Sequence, residues 1–246
     1  MIRYRIEFGK SEANRLKAQK FRQKIFRDSE DGLDEDKHDL TSDHCLIFDK
    51  KSNDKLVLVF RSRIFSSMED ILYSYPAQYY DLTELSALRL KPMELGRLCM
   101  DQNASDPFLL LVAFKYLRSI VSNCQVDFIF GCTSFAGADN PRHLAALNSL
   151  EKEQFASSNF PIKKKLSRFL NIKKDSIAAQ ESKNARNFLP PLLKFYLSLG
   201  GRVSDHAVVD KDLDTLHVFT YVDLKGKKIK KFLFTVHWIA FCHSTK

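Results

Sequence analysis

The sequence of 246 residues lacks any apolar run close to the roughly 20 residues needed to span a membrane, so we expect no transmembrane helix. It also lacks a signal-peptide hydrophobic region, because charged residues interrupt its first apolar segment. Its five cysteines are odd in number and widely spaced, with no CxxC pair. That usage indicates a reducing cytoplasm rather than a disulfide framework. No His, Cys or Asp spacing fits a metal site, and no internal repeat is found.

Composition and charge describe a chain able to build a core and attract anions. Hydrophobic residues make up 44% and aromatic residues 12%, enough for one large domain or two small ones. The formal net charge is +9, and the basic residues are clustered. This charge favours an acidic partner, such as nucleic acid, an anionic membrane or an acidic protein. Because no nucleic-acid-binding motif is present, nucleic acid is the weakest of these.

Hydrophobic periodicity predicts a mixed α/β sheet with helices on its faces. The predicted strands are 2–8, 44–49, 55–64, 93–100, 126–131, 202–209 and 215–222. The first predicted helix begins after Ser11, and three further helices are predicted over 108–121, 141–156 and 192–199. The acidic stretch 28–43 is interpreted as a mobile loop, and 132–137 as a loop of small residues.

The predicted strand Met93–Met100 is the main candidate for a functional site, because it carries the charged residues Glu94 and Arg97 among apolar ones. Side chains three positions apart point to opposite faces of a regular strand. A bulge at or next to Gly96 would re-aim one of them. Two interpretations stay open: a buried structural ion pair, or a substrate-facing acid beside a carboxylate-binding arginine.

Five segments, in this order, resemble motifs of one known family. They are Phe21–Phe26 (FRQKIF), Asp43–Asp49 (DHCLIFD), Glu94–Met100 (ELGRLCM), Phe130–Gly137 (FGCTSFAG) and Leu189–Gly201 (LPPLLKFYLSLGG). The family is the ornithine–acyl carrier protein N-acyltransferases, often labelled hemolysin-like, within the GNAT acyltransferase fold. Its layout is similar to that of acyl-homoserine-lactone synthases. The resemblance covers about residues 10–222.

The resemblance implies transfer of a 3-hydroxy fatty acyl group from acyl carrier protein to the α-amine of ornithine, giving lyso-ornithine lipid. The donor would be a phosphopantetheine thioester, with no bound cofactor and no metal. One departure is notable: Ser105 stands near where the family carries an arginine, and the loop 101–107 contains no glycine. A CoA pyrophosphate would be poorly held there, whereas the single phosphate of phosphopantetheine would suffer less. Lost activity also fits this departure.

Amide formation from a thioester needs a proton acceptor, an oxyanion donor and a grip on the acceptor substrate. We expect Glu94 as the base, with the pair Asp43 and His44 as the second choice. Backbone N–H groups of Leu98, Cys99 and Met100 are expected to stabilise the oxyanion. Arg97 or Arg61 is expected to bind the amino-acid carboxylate through a planar fork.

Further residues are predicted to bind substrate, to form structural ion pairs or to offer an alternative nucleophile. Arg22 and Ser134, from the first and fourth motifs, join the substrate-binding set. The arginines not binding substrate are expected to pair with Asp43, Asp49 and Glu94. A covalent acyl-cysteine at Cys99 or Cys132 is the less favoured route, since neither cysteine has an obvious base beside it.

The predicted organisation is an acyltransferase domain over 1–224, with a basic insert or lid at 161–187, and a basic–aromatic tail over 225–246. The basic clusters at 163–174 and 225–231 would dock an acidic carrier protein or form solvated surface. The tail would lie on an anionic membrane or add a strand. The protein is expected in the cytoplasm, and peripheral contact with the inner membrane is the additional option. The alternatives are an acyltransferase with another amino-acid acceptor, including a quorum-signal synthase, and an inactive GNAT module that binds lipid or protein.

Overall fold

The strands and helices follow the predicted α/β pattern in a computed structural model that describes residues 3–104, 106, 108–165, 169–172 and 184–225. Within these residues the strands are β1 Tyr4–Gly9, β2 Asp43–Asp49, β3 Lys55–Ile64, β4 Tyr80–Asp81, β5 Pro92–Met100, β6 Phe128–Ala136, β7 Lys163–Lys164, β8 Phe169–Asn171, β9 Arg202–Asp210 and β10 Thr215–Asp223. The helices are α1 Glu12–Arg27, α2 Thr83–Ser86, α3 Leu109–Asn123, α4 Pro141–Asn148 and α5 Pro191–Ser198.

The chain divides into two compact units. Unit 1 holds residues up to 64 and residues 93–126, and unit 2 holds residues 65–92 and those from 127 onward. The predicted tail lies outside the described residues except for Lys225, and so does most of the predicted lid. The lid, the tail and their boundaries therefore stay predictions.

The strands of unit 1 pair antiparallel in the order β1-β2-β3-β5. Ser11 caps α1, as predicted, because its side chain accepts a hydrogen bond from the backbone N–H of Asn14. The turn between β2 and β3 places Asn53 and Asp54 at φ 59° and 56°, a left-handed conformation that asparagine and aspartate tolerate. These local signals explain why periodicity predicted β1, α1, β2 and β3 closely.

Helices cover both faces of the unit 1 sheet. Ala18 of α1 packs with Leu46 and Val59 on one face. On the other face, Tyr116 of α3 meets Phe8 edge to face, with ring centroids 5.7 Å apart. Phe8 pairs with Cys45, the neighbour of Leu46, so the two helices contact opposite sides of the sheet.

Unit 2 contains the antiparallel strands β6, β10, β9 and β8, in that spatial order. Its aromatic core includes Phe128, Phe130 and Phe219, and a second core gathers around α5. After α5 the chain turns through Gly200 at φ 78°. A Cβ on the next glycine, Gly201, would lie 2.6 Å from the Tyr196 carbonyl oxygen, so the close packing there requires glycine.

Two sequence-based boundaries were wrong. The helix predicted over 141–156 ends at Asn148. A separate 3₁₀ turn follows at Lys152–Gln154, capped by Glu151, whose backbone N–H donates to the Gln154 side chain at 2.9 Å. The predicted loop 132–137 is mostly strand, because β6 continues to Ala136 in register with β10. Small residues there reflect one exposed face of a strand rather than a turn.

Candidate functional site

The bulge predicted beside Gly96 is present in β5, at Arg97. Gly96 pairs with Arg61 and Cys99 pairs with Val59, so Arg97 and Leu98 together oppose one residue of β3. Arg97 has φ 53°, a left-handed conformation uncommon for a residue that is not glycine, asparagine or aspartate. A bulge leaves its extra residue outside the ladder and re-aims side chains. It therefore changes the face that Arg97 would occupy in a regular strand.

Glu94 lies two residues before Gly96 and is buried, with 4% of its surface exposed. Its charge helps raise the pKa of the Arg61 guanidinium. Arg97 makes its ion pairs with aspartates: Nη2 is 3.0 Å from Asp36 Oδ2, and Nε is 3.7 Å from Asp34 Oδ2. Arg97 therefore belongs to a larger group of paired charges in unit 1, and Glu94 lies next to that group through Arg61.

Two buried arginines, the partly buried Arg97 and three aspartates form this group, which we call the Arg–Asp cluster. Its members are Arg22, Arg61, Arg97, Asp34, Asp36 and Asp39. Helix α1 supplies Arg22, strand β3 supplies Arg61, and the bulge of β5 supplies Arg97. All three aspartates come from the segment that precedes β2.

The inner part of the cluster is closed to solvent. Arg22 donates from Nε to Asp34 Oδ2 at 2.9 Å and from Nη2 to Asp39 Oδ2 at 2.6 Å. Arg61 donates from Nη1 to Asp39 Oδ1 at 2.7 Å and to Asp36 Oδ1 at 2.6 Å. Side chains of Asp34 and Asp39 are 1% exposed, whereas that of Asp36 is 19% exposed. Asp36 is thus the aspartate of the cluster nearest to solvent.

Mutual neutralisation keeps these groups charged. Burial alone would raise the pKa of Asp39, but the hydrogen bond and charge of Arg22 and the charge of Arg61 hold it well below its usual range. Burial likewise opposes ionisation of Asp36, and Arg61 and Arg97 lower its pKa. For Arg61, burial lowers the pKa, and the carboxylate of Asp36 and neighbouring acids more than reverse that effect. These ion pairs keep Asp36, Asp39 and Arg61 charged near neutral pH.

Two of the three expected arginine partners, Asp43 and Asp49, were wrong, whereas Glu94 does interact with Arg61 through its charge. The ion pairs of the three arginines are made with Asp34, Asp36 and Asp39. Asp49 instead pairs with Arg3 at 2.7 Å. The acidic stretch is not an exposed loop, because Asp34 and Asp39 pack into unit 1. Its high acid content, in a chain whose FRQKIF and ELGRLCM motifs each carry an arginine, was the available signal.

Asp43 and His44 do not form a pair. They hold consecutive positions at the start of β2, whose side chains point to opposite faces. The Nε2 atom of His44 lies 3.0 Å from the Asp39 carbonyl oxygen, and burial lowers the pKa of the imidazole. Burial raises the pKa of the Asp43 carboxyl. His44 is thereby a neutral imidazole that braces the turn before β2.

The expected oxyanion donors lie at the bulge and directly after it. Leu98 is part of the bulge, and Cys99 and Met100 return to the ladder opposite Val59 and Leu58. Burial raises the pKa of the Cys99 thiol well above its ordinary value, which disfavours the thiolate. Cys99 therefore suits packing better than nucleophilic attack.

Some predicted features fall elsewhere. Ser134 is exposed on β6 in unit 2, where it pairs with His217 of β10. Ser105 lies outside the described residues, as do Pro107, Arg168, Lys173 and Lys174. Of the first basic cluster, Lys163 pairs with Glu84, and Lys165 donates to the Ala77 carbonyl at 2.6 Å. No helix in the described part of the chain is long and apolar enough to cross a membrane.

The sequence profile of the acetyltransferase (GNAT) domain matches residues 16–112, which include α1, β2, β3 and β5 with the Arg–Asp cluster. This match agrees with the antiparallel sheet and flanking helices described above. The chain therefore carries a GNAT acetyltransferase domain over these residues, and it is an acyltransferase.

Within that class the chain is a relative of the L-ornithine N(alpha)-acyltransferases, as its five motifs predicted. It is 27% identical to the L-ornithine N(alpha)-acyltransferase of Brucella abortus over 198 residues, covering 78% of this chain and 70% of that protein. It is also 27% identical to the Rhodobacter capsulatus protein of the same name over 208 residues, covering 82% and 79%.

Solved structures resemble the chain more distantly. An N-acyl amino acid synthase from uncultured soil microbes aligns with a TM-score of 0.49 and 12% identity, over 91% of this chain and 92% of that one. A CoA-dependent acyl-homoserine lactone synthase aligns with a TM-score of 0.48 and 10% identity, over 92% and 83%.

Proposed function

We propose that this acyltransferase moves a 3-hydroxy fatty acyl group from acyl carrier protein to the α-amine of ornithine, giving lyso-ornithine lipid. The observation that carries the proposal is the similarity, across most of the chain, to four proteins named L-ornithine N(alpha)-acyltransferase. The five motifs in family order add the donor class and the product class. The Arg–Asp cluster supplies groups suited to an amino-acid acceptor.

The acceptor is held by its carboxylate. Arg61 and Arg97 approach one another through Asp36, so a carboxylate can contact both guanidinium groups. Planar guanidinium groups bind carboxylates in two-point geometry, which orients the ligand as well as attracting it. Fixing the carboxylate leaves the α-amine as the reacting end of the substrate.

Glu94 accepts the proton of the amine, directly or through one water. An amino group is mostly protonated near neutral pH, so transfer requires removal of protons before and during attack. The amine nitrogen then forms the C–N bond as the thioester C–S bond breaks. The phosphopantetheine thiolate leaves and takes a proton. Glu94 is close enough to Arg61 for their charges to interact, which puts the base near the carboxylate grip.

Backbone N–H groups at the bulge of β5 donate hydrogen bonds to the thioester oxygen. Backbone N–H groups of Leu98 to Met100 follow the left-handed Arg97, and the extra residue of a bulge leaves ladder hydrogen-bonding capacity unused. Donors fixed in this way stabilise the negative charge that develops during acyl transfer, since they need no reorganisation.

Docking of the donor is assigned to the basic surface. Acyl carrier protein is acidic, and complementary charge mainly raises the rate of association. Lys163 is exposed, and its ion pair with Glu84 is of the surface kind that contributes little energy. The basic–aromatic tail is assigned to the anionic membrane where the product is used. Removal of 225–246 should shift the protein from membrane to soluble fractions, and unchanged partitioning would reject this membrane role.

The decisive experiment supplies purified protein with 3-hydroxyacyl carrier protein and single amino acids, and analyses products by mass spectrometry. N-acylornithine as the main product supports the proposal. The same assay with acyl-CoA tests the donor, and acyl carrier protein should be preferred. A main product from another amino acid or from S-adenosylmethionine would reassign the acceptor. No product from any pair would indicate an inactive GNAT module.

A further inference from the structure

Asp36 bridges the two arginines assigned to substrate. Its Oδ1 lies 2.6 Å from Arg61 Nη1, and its Oδ2 lies 3.0 Å from Arg97 Nη2. One carboxylate thus divides its two oxygens between two guanidinium groups, and Oδ1 also accepts the His38 backbone N–H at 2.8 Å. This is the arrangement that an α-carboxylate would need to adopt on the same pair of arginines.

The three aspartates of the cluster are not equivalent. Asp34 and Asp39 are 1% exposed and share the innermost arginine, Arg22. Asp36 is 19% exposed and contacts the outer two. If Asp36 withdrew, Arg61 would keep Asp39 at 2.7 Å, and Arg97 would keep Asp34 at 3.7 Å. Withdrawal of Asp36 therefore frees donor groups of Arg61 and Arg97 for a ligand, while each arginine keeps one aspartate partner.

Charge balance argues against simple addition of a ligand carboxylate. Three arginines are matched by three aspartates. Arg27, whose Nη2 lies 3.5 Å from Asp34 Oδ1, and Glu94, next to Arg61, add one more charge of each sign. A further anion in this buried setting would meet like charges that disfavour ionisation of all of them. Exchange of one carboxylate for another keeps the balance. The most exposed aspartate is the one that can be exchanged.

We propose that Asp36 occupies the place of the acceptor's α-carboxylate and is displaced when the acceptor binds. The inference rests on the proposed function for the identity of the acceptor. Asp36 then acts as a specificity device, because only a ligand with its own carboxylate can replace it on Arg61 and Arg97. Simple amines leave it in place. The apparent affinity for the amino acid is reduced by the fraction of molecules in which Asp36 is seated.

Binding measurements on Asp36→Ala and Asp36→Asn test this proposal. Isothermal titration with L-ornithine should show tighter binding to Asp36→Ala than to the unmodified protein, about tenfold if Asp36 is seated nine-tenths of the time. L-Ornithinamide, which has an amide in place of the carboxylate, should bind all variants alike. Asp36→Asn removes the charge with little change of shape, and it stands in if the alanine variant does not fold by circular dichroism.

Asp34→Asn is the matched control, because it also removes one negative charge from the cluster, but from its interior. Equal tightening by Asp34→Asn would reveal a general charge effect and overturn the displacement. Unchanged or weaker ornithine binding by both Asp36 variants would also overturn it, as would tighter ornithinamide binding. Ornithine binding to none of the proteins would do the same.

Failure of the proposed function is recognised separately, in the product assay. Tighter ornithine binding by Asp36→Ala, together with no N-acylornithine from the unmodified protein, would preserve the displacement and reject the reaction. N-Acylornithine formation with no effect of Asp36→Ala on binding would preserve the reaction and reject the displacement.

Discussion

Arg22 and Asp39 form a two-point ion pair in the interior of unit 1, with Nη1–Oδ1 at 3.1 Å and Nη2–Oδ2 at 2.6 Å. Gln19 adds a third bond to the carboxylate, from Nε2 to Oδ2 at 3.0 Å. Both charged side chains are 1% exposed. The pair ties helix α1 to the segment that carries Asp36, so the surroundings of Arg61 and Arg97 depend on it.

Loss of one partner of this pair should be strongly destabilising. Asp39→Asn leaves Arg22 and Arg61 facing one acid fewer in a buried site, and breaking a buried ion pair from one side costs about 3–5 kcal/mol. We expect urea-induced unfolding, followed by circular dichroism, to show a loss of this order. Asp54→Asn breaks the exposed pair with Arg5 and serves as the control, with an expected change within about 1 kcal/mol. Equal losses in the free energy of unfolding for the two substitutions would show that the buried pair stabilises the fold no more than the exposed pair does.

The elements of unit 1 were predictable because their signals are local. Ile6 and Phe8 alternate with charged residues in β1, and Ser11 caps α1. The bulge was predictable for the same reason, since Gly96 interrupts an apolar strand that contains two charges. Predicted strand ends were wrong where pairing with a neighbouring strand sets the length. Strand β6, for example, continues to Ala136 because it pairs with β10.

The partners inside the site were not predictable in the same way. The acidic stretch 28–43 has no periodicity, and any of its carboxylates could reach an arginine on sequence grounds. The choice of Asp34, Asp36 and Asp39 is made by the turn that His44 braces through the Asp39 carbonyl. Such a choice depends on contacts between residues far apart in the sequence, which a pattern of neighbours does not contain.

Glu94→Gln should lower turnover with little effect on the binding of either substrate. A general base contributes about 10²- to 10⁴-fold to rate, so kcat for N-acylornithine formation should fall in that range while the KM for ornithine changes little. Asp43→Asn is the comparison, because Asp43 belongs to the second pair considered for the same role. A large loss in Asp43→Asn with full activity in Glu94→Gln would move the base to β2.

Buried thiols should resist alkylation in the native protein. Burial raises the pKa values of Cys45 and Cys99 well above that of a free thiol, and the thiolate is the reactive form. Cys124 and Cys132 are partly exposed. Iodoacetamide at pH 8, followed by peptide mass spectrometry, should label Cys124 and Cys132 first and Cys45 and Cys99 only after unfolding. Rapid native labelling of Cys99 would reopen the acyl-cysteine route.

His217 should make unit 2 less stable as the pH falls below neutrality. Burial lowers its pKa from 6.5 to about 4, although the charge of Asp210 opposes the shift. Its Nδ1 lies 3.1 Å from the Tyr80 hydroxyl, and its ring meets Tyr79 edge to face. Since the unfolded chain takes up a proton near pH 6.5 and the folded chain only near pH 4, the contribution of a neutral His217 is complete above pH 6.5 and is lost between the two values.

The size of this loss is about 3 kcal/mol, the free energy that corresponds to the difference between the two pKa values. Urea midpoints measured between pH 4 and pH 7 should therefore fall with decreasing pH. His217→Gln, which cannot take up a proton, should flatten the curve even if its stability at pH 7 is lower. His143→Gln, on α4 of the same unit, is the matched control for the substitution of a histidine by glutamine. A slope in His217→Gln as steep as in the unmodified protein would assign the pH dependence to other groups, such as His38 and His44 in unit 1, whose pKa values burial also lowers.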